Sequence, residues 1–113
     1  KSKTLIGNLY KEGKAVKKYP LRLVYLQAEH SSQYPAQVGV SVPKRNFKKA
    51  VQRNRLKRLL RETYRKQKQL VYNNIDKPYV FMISYIGKEE LSYHDTEIKM
   101  KQLLEAFIDK INQ

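Results

Sequence analysis

Residues 44–68 read KRNFKKAVQRNRLKRLLRETYRKQK, and the architecture of the whole chain follows from how this stretch folds. It holds twelve cations, Lys44, Arg45, Lys48, Lys49, Arg53, Arg55, Lys57, Arg58, Arg61, Arg65, Lys66 and Lys68, against the single acid Glu62. Charge of that density suits a disordered arm. The apolar residues argue otherwise: Leu56, Leu59, Leu60, Thr63, Tyr64, Leu70 and Val71 recur at helical spacing and form one stripe. Asn54, Arg58, Arg61, Arg65 and Lys68 fall at i, i+4, i+7, i+11 and i+14, one line of a helix. At about 100° per residue, that line lies roughly opposite the stripe. The spacing predicts a long helix, ending near Val71, with a buried face and a rail of guanidinium groups.

Five of the six cations from Arg53 to Arg65 are Arg. Its planar fork of donors matches phosphate oxygens in pairs. Most charge runs are simply solvated helix faces, but a solvated face usually mixes signs, with Glu and Lys paired at i, i+4. Like charges along one helix repel and cost stability unless a polyanion neutralises them. The rail therefore reads as a phosphate-binding surface.

The chain has 113 residues, one domain by the usual length relation, and is 41% hydrophobic, enough for a modest core despite a net charge of +14. It has no cysteine, which excludes a disulfide framework and cysteine-based zinc sites. Nothing resembles a signal peptide, so the expected setting is reducing and cytoplasmic. No apolar run approaches the roughly 20 residues needed to span a bilayer. A pI near 10.0 points to an anionic partner.

Thr4 to Glu12 reads as a short helix, with Gly13 where a C-cap glycine would stand. Lys14 to Lys18 reads as an edge strand whose lysines discourage edge pairing. Pro20 opens LRLVYLQ, in which Leu21, Leu23 and Tyr25 face one way and Arg22, Val24 and Leu26 the other. A polar turn around His30 to Gln33 leads to Gln37–Val42. There Val38, Val40 and Val42 point to the core, while Gly39 and Ser41 leave room on the other face, for a ligand or for close packing. Asn46 reads as a turn residue or N-cap. After the main helix, YVFMISYI from Tyr79 is apolar throughout, as a central strand covered on both faces would be. A strand, a long helix and a strand in series suggest a crossover with parallel pairing. Ser92 and Asp95 resemble a capping box before a last helix, buried through Met100, Leu103, Leu104, Phe107, Ile108 and Ile111. The expected fold class is α+β, a single-domain α-β-β-β-α-β-α sandwich over residues 1–113 with a mixed four-stranded sheet.

Catalysis by the protein itself has little support. A two-metal nuclease needs carboxylates converging on ions about 4 Å apart. The ten acids here are scattered, and Glu89, Glu90, Asp95 and Glu97 read as solubilising or helix-dipole residues. His30 and His94 lack any metal or acid–base context. No phosphate-binding glycine loop or nucleophile motif occurs, so neither a catalytic residue nor a small-molecule substrate is expected. Among the nine tyrosines, Tyr10, Tyr19 and Tyr25 are candidates for a stacking wall for single-stranded RNA, provided they converge on one cleft.

The run VGVSVPKR…AVQRNRLKRLLRETYR, Val38 to Arg65, resembles the signature of the bacterial ribonuclease P protein component family. Gly39, Ser41, Val42, Lys44, Ala50, Val51, Arg53, Asn54, Arg55, Lys57, Arg58, Leu60, Arg61, Glu62 and Arg65 all match it. The ending Tyr10-Lys11-Glu12-Gly13 of the first helix also fits, and looser likeness runs along the whole chain. Two departures stand out. Pro43 replaces a common Ser, and the turn Arg45-Asn46-Phe47-Lys48-Lys49 is one residue longer and lacks the family's Gly. Asn46 is the residue there best able to adopt a left-handed conformation in the glycine's place.

The resemblance implies a left-handed crossover between the parallel strands flanking the main helix. It also implies a subunit that binds the catalytic ribonuclease P RNA and the single-stranded 5′ leader of precursor tRNA. The RNA performs the magnesium-dependent cleavage and binds most of the Mg2+; no metal site is expected on the protein. By the same resemblance Arg53, Asn54, Arg55, Lys57, Arg58, Arg61, Arg65 and Lys68 face the catalytic RNA. Ile6, Tyr10, Tyr25, Ser41 and Lys44 contact the leader in a cleft between sheet and helices. Two rival readings are a ribosome-associated RNA-binding protein and a basic helix lying on an anionic membrane; the second lacks spare apolar surface, because the stripe is needed for the core.

Overall fold

The computed structural model describes residues 13–27 and 36–112. The predicted helix over Thr4–Glu12, with Ile6 and Tyr10, and the predicted turn at His30–Gln33 lie outside them. In chain order come β1 (Lys14–Lys18), β2 (Leu21–Gln27), β3 (Ala36–Ser41), α1 (Ala50–Tyr72), β4 (Tyr79–Tyr85) and α2 (Tyr93–Ile111). The strands form one sheet in the order β1-β2-β4-β3. Pairing is antiparallel for β1–β2 and β2–β4 and parallel for β3–β4, with α1 as the connection between the parallel pair. β4 is central, as its continuous apolarity indicated, and the lysine-rich β1 is an edge.

Strand alternation sorts the sheet into two faces. Leu21, Leu23 and Tyr25 of β2 stand in register with Tyr85, Ile83 and Phe81 of β4, and Val38 and Val40 with Phe81 and Ile83. These residues join Leu56, Leu60 and Tyr64 of α1 and Met100, Leu103, Leu104 and Phe107 of α2 in one core. Both helices therefore pack on the same face. Phe107 is the hub: its ring meets Tyr25 and Phe81 edge-on at 4.8 Å each and Tyr79 at 5.3 Å. Edge-to-face rings at these distances add to the burial itself. The other face carries a smaller cluster, Val24 and Val80 with Leu26 and Met82. Gly39 belongs to that face, where a Cβ would come within 3.1 Å of the Met82 Cε. The small residue thus makes room for a methionine from the neighbouring strand.

The connections are specific. The β1–β2 turn carries a cis Tyr19–Pro20 peptide. It is pinned to the end of β4, where Ile86 N–H donates to Pro20 O at 2.7 Å. In the turn between β3 and α1, no non-glycine residue among those described has positive φ, so Asn46 does not supply a left-handed turn. Instead its side-chain amide donates to Ile86 O and Gly87 O at 3.4 and 3.3 Å, and Phe47 inserts its ring edge-on against Tyr85 at 5.6 Å. The longer turn is closed by burying an aromatic ring rather than by a glycine. α1 then begins after Lys49, which offers no side-chain cap; Asn46 is not the N-cap. α2 begins as expected at Ser92, whose Oγ accepts the Asp95 N–H at 3.1 Å.

Candidate nucleic-acid interface

α1 buries Leu56, Leu60, Thr63, Tyr64 and Val71. Thr63, a polar residue in the stripe, meets its need locally: its hydroxyl donates to Leu59 O at 2.9 Å. With that face committed to the core, the opposite line is turned outward, and Asn54, Arg58, Arg61 and Arg65 are all exposed. Among the described residues, the side chains of Asn54, Lys57, Arg58 and Arg61 make no hydrogen bond or ion pair. Arg65 pairs with Glu62 at 2.9 Å, i to i+3, both side chains exposed. Arg65 holds the Glu62 carboxyl below its ordinary range by hydrogen bond and charge. Exposed pairs of this kind contribute little to stability, so a phosphate can take the Arg65 fork at small cost. Lys66 sits 5.0 Å from the Tyr93 ring centroid and Lys68 6.0 Å from that of Tyr72, both weak cation–π contacts.

Two members of the expected set are engaged differently. Arg53 turns back on the β3–α1 connection, donating through Nη1 to Phe47 O and Lys48 O at 2.9 and 2.8 Å. It ties down the turn that presents Lys44 and Arg45. Arg55 gives its fork to Glu90, with Nε and Nη2 on Oε1 at 3.0 and 2.8 Å and Nη2 on Oε2 at 2.9 Å. Glu90, read from sequence as a solubilising acid, is held in place by Tyr85. That buried phenol donates to Glu89 O and accepts the Leu91 N–H at 2.9 Å, gripping the backbone on either side of Glu90. The pairing spans 35 residues of chain, and no local spacing announces it.

Of the residues carried over to the leader, those described, Tyr25, Ser41 and Lys44, do not share one face of the sheet. Tyr25 lies on the helix-facing side, only 5% exposed, and lines a recess of about 350 Å³ with Tyr79, Lys14 and Lys110. Burial and the neighbouring Tyr79 raise its pKa. Ser41 points to the opposite face, so the two do not line one cleft; alternation separates an odd residue of β2, in register with Phe81, from Ser41, in register with Ser84. Nor do Tyr19 and Tyr25 form a wall: Tyr19 is 61% exposed in the turn, while Tyr25 is core. Lys44 is exposed in the turn after β3. The partners that register gives Ser41 are Ser84, then Arg22, then Lys17, one polar row across all four strands. Lys17 and Arg22 were not singled out from sequence, although the alternation of β2 already placed Arg22 opposite Tyr25.

Among the described residues, no cluster of three His, Asp or Glu side chains is arranged to hold a metal ion. The geometry is that of a binding surface: a convex row of fixed-charge donors on a rigid helix.

The sequence profile of the family described as Ribonuclease P matches residues 1–107. The chain belongs to this family. Among its relatives, the ribonuclease P protein component of Porphyromonas gingivalis is 51% identical over 67 residues, covering 58% of this chain and 48% of the relative. That of Borreliella burgdorferi is 35% identical over 104 residues, covering 92% and 84%. The chain thus spans about half the length of the first of these relatives and most of the second. Ribonuclease P proteins of known structure share the fold. That of Staphylococcus aureus superposes with a TM-score of 0.73 at 18% identity, over 95% of this chain and 92% of its own. That of Thermotoga maritima also reaches 0.73, at 22% identity over 94% of each chain. At such low identity the ribonuclease P likeness in structure concerns the mixed sheet and its two helices, while family membership rests on sequence.

Proposed function

We propose that this chain is the protein subunit of a ribonuclease P. It binds the catalytic RNA and the 5′ leader of precursor tRNA, and so aids magnesium-dependent removal of that leader by the RNA. The observation that carries the reading is the outer line of α1. Asn54, Lys57, Arg58 and Arg61 stand on a helix whose other face is locked in the core, and none has a partner among the described residues. Unneutralised like charges on one rigid surface are stabilised by a polyanion, and family membership names the polyanion. Arg65 and Lys68 extend the row; Arg53 and Arg55 shape it, one by fixing the turn and the other through Glu90. For the leader, the row Lys17, Arg22, Ser84 and Ser41, beside Gly39 and Met82, supplies cations and hydroxyls next to apolar surface, which suits a single strand.

The protein's contribution to the chemistry is electrostatic. Cations opposite the RNA backbone lower the repulsion between ribozyme and substrate, which reduces the Mg2+ concentration needed for the same occupancy. The test is cleavage of a precursor tRNA by a bacterial ribonuclease P RNA at low magnesium, with and without this chain. Strong stimulation, with no cutting by the protein alone, is expected. Tight, salt-dependent RNA binding without stimulation would overturn the reading.

A further inference from the structure

Beside the cationic line, a groove of about 390 Å³ runs between α1 and the connection that joins β4 to α2. Its walls are Leu59, Leu91 and Tyr93, the last 39% exposed. Two carboxylates stand at its edge, and both are matched: Glu90 by Arg55 and Glu62 by Arg65. That leaves Arg58 as the one lining charge without a partner among the described residues. The groove is therefore apolar within and positive at its lip. Lys66, 5.0 Å from the Tyr93 ring centroid, adds a second cation nearby.

We infer that this groove receives one unstacked base of the bound RNA, with the flanking phosphates on Arg58 and Arg61. The inference rests on the RNA-binding reading above and adds to it a base-contacting element. Three features favour a base over other occupants. The volume lies near the lower end of the range for small-ligand sites, about 300–1,000 Å³, which admits one flat ring system and not a stack of several. Leu59, Leu91 and Tyr93 present apolar and aromatic surface, which accepts any base face. A nucleic acid brings a flat base and a phosphate chain together, and both kinds of surface meet at Arg58. At the polar edge, Glu62 offers an acceptor for an exocyclic amine and Arg58 donors for ring nitrogens or carbonyls, so the groove discriminates among bases as well as gripping one.

The experiment is chemical footprinting of bases in a bacterial ribonuclease P RNA bound by the wild-type chain, by Tyr93→Ala and by Arg61→Ala. Salt-dependent affinities are measured alongside. With wild type, one nucleotide or a neighbouring pair becomes protected on its base. Tyr93→Ala restores reactivity there and weakens binding about 5- to 150-fold with the salt slope unchanged, the range for losing one stacked base. Arg61→Ala flattens the slope and leaves the protection in place. Leu91→Ala, altering another wall, repeats the Tyr93→Ala result and guards against a folding defect at the start of α2. Unchanged affinity and footprint in both wall variants would overturn the inference. If those variants also stimulate precursor cleavage like wild type, the subunit reading stands and only the base pocket falls. If wild type itself neither binds nor stimulates, the subunit reading falls first.

Discussion

Not every cation on α1 should count equally in RNA binding, and the structure says which two to compare. Arg61 is exposed with no partner among the described residues, whereas the Arg55 fork is closed on Glu90 by three contacts of 2.8–3.0 Å. A cation that neutralises an RNA phosphate releases a counterion and contributes about 0.7–0.9 to the slope of log K against log salt. Between 50 and 200 mM salt that is about a threefold change in affinity per contact. Arg61→Ala is therefore expected to flatten the slope by about 0.7–0.9. Arg55→Ala removes a charge already matched by Glu90 and should leave the slope nearly as it was. Glu90→Gln should do the reverse of Arg61→Ala, steepening the slope as the fork becomes available to phosphate. Filter binding of ribonuclease P RNA across that salt range reads all three variants. Equal flattening by Arg55→Ala and Arg61→Ala would show that the Glu90 pairing does not persist on the RNA, and would refute the distinction.

Other expectations concern the scaffold. Phe107→Ala removes the ring shared by Tyr25, Tyr79 and Phe81 and should cost about 3–5 kcal/mol in a urea melt, as large aromatic deletions from a core do; a loss below about 1 kcal/mol would contradict its central place. Gly87→Ala should be far worse than Gly39→Ala. The new Cβ at position 87 would lie 2.6 Å from the rigid Pro20 ring, whereas at position 39 it meets the flexible end of Met82 at 3.1 Å, and the thermal midpoints of the two variants compare them directly. Burial raises the Tyr64 phenol well above its ordinary value of 10.0. The unfolded chain then ionises first, so this contribution to stability is whole below about pH 10 and declines as pH rises toward the folded-state value. Urea melts from pH 8 to 11 should show that decline, and Tyr64→Phe should lessen it.

Much of the fold was legible because periodicity reports directly on burial. The stripe of Leu56, Leu60 and Tyr64, the alternation of Val38, Val40 and Val42, and the unbroken apolarity of Tyr79–Tyr85 each named an element and its buried side. The cationic line was legible for the same reason, since a helix with one face in the core has its other face defined. Less legible was anything that depends on which side of a strand meets the helices. LRLVYLQ alternates with apolar residues on both sides, so its sequence alone did not say which side meets the helices. Pairing with Phe81 decided the side, placing Tyr25 under Phe107 and Arg22 in the row of Ser84 and Ser41.

The amino-acid sequence by itself determined the elements of the described residues, the long basic helix and the family, because these rest on short-range spacing and on the identity of consecutive residues. Tertiary structure alone decided which cations are available. Arg55 and Arg61 look alike in sequence, yet one meets a carboxylate held 35 residues away by the Tyr85 hydroxyl and the other meets solvent. Electrostatic pairing depends on distance in space, and only the packed sheet and helices set that distance.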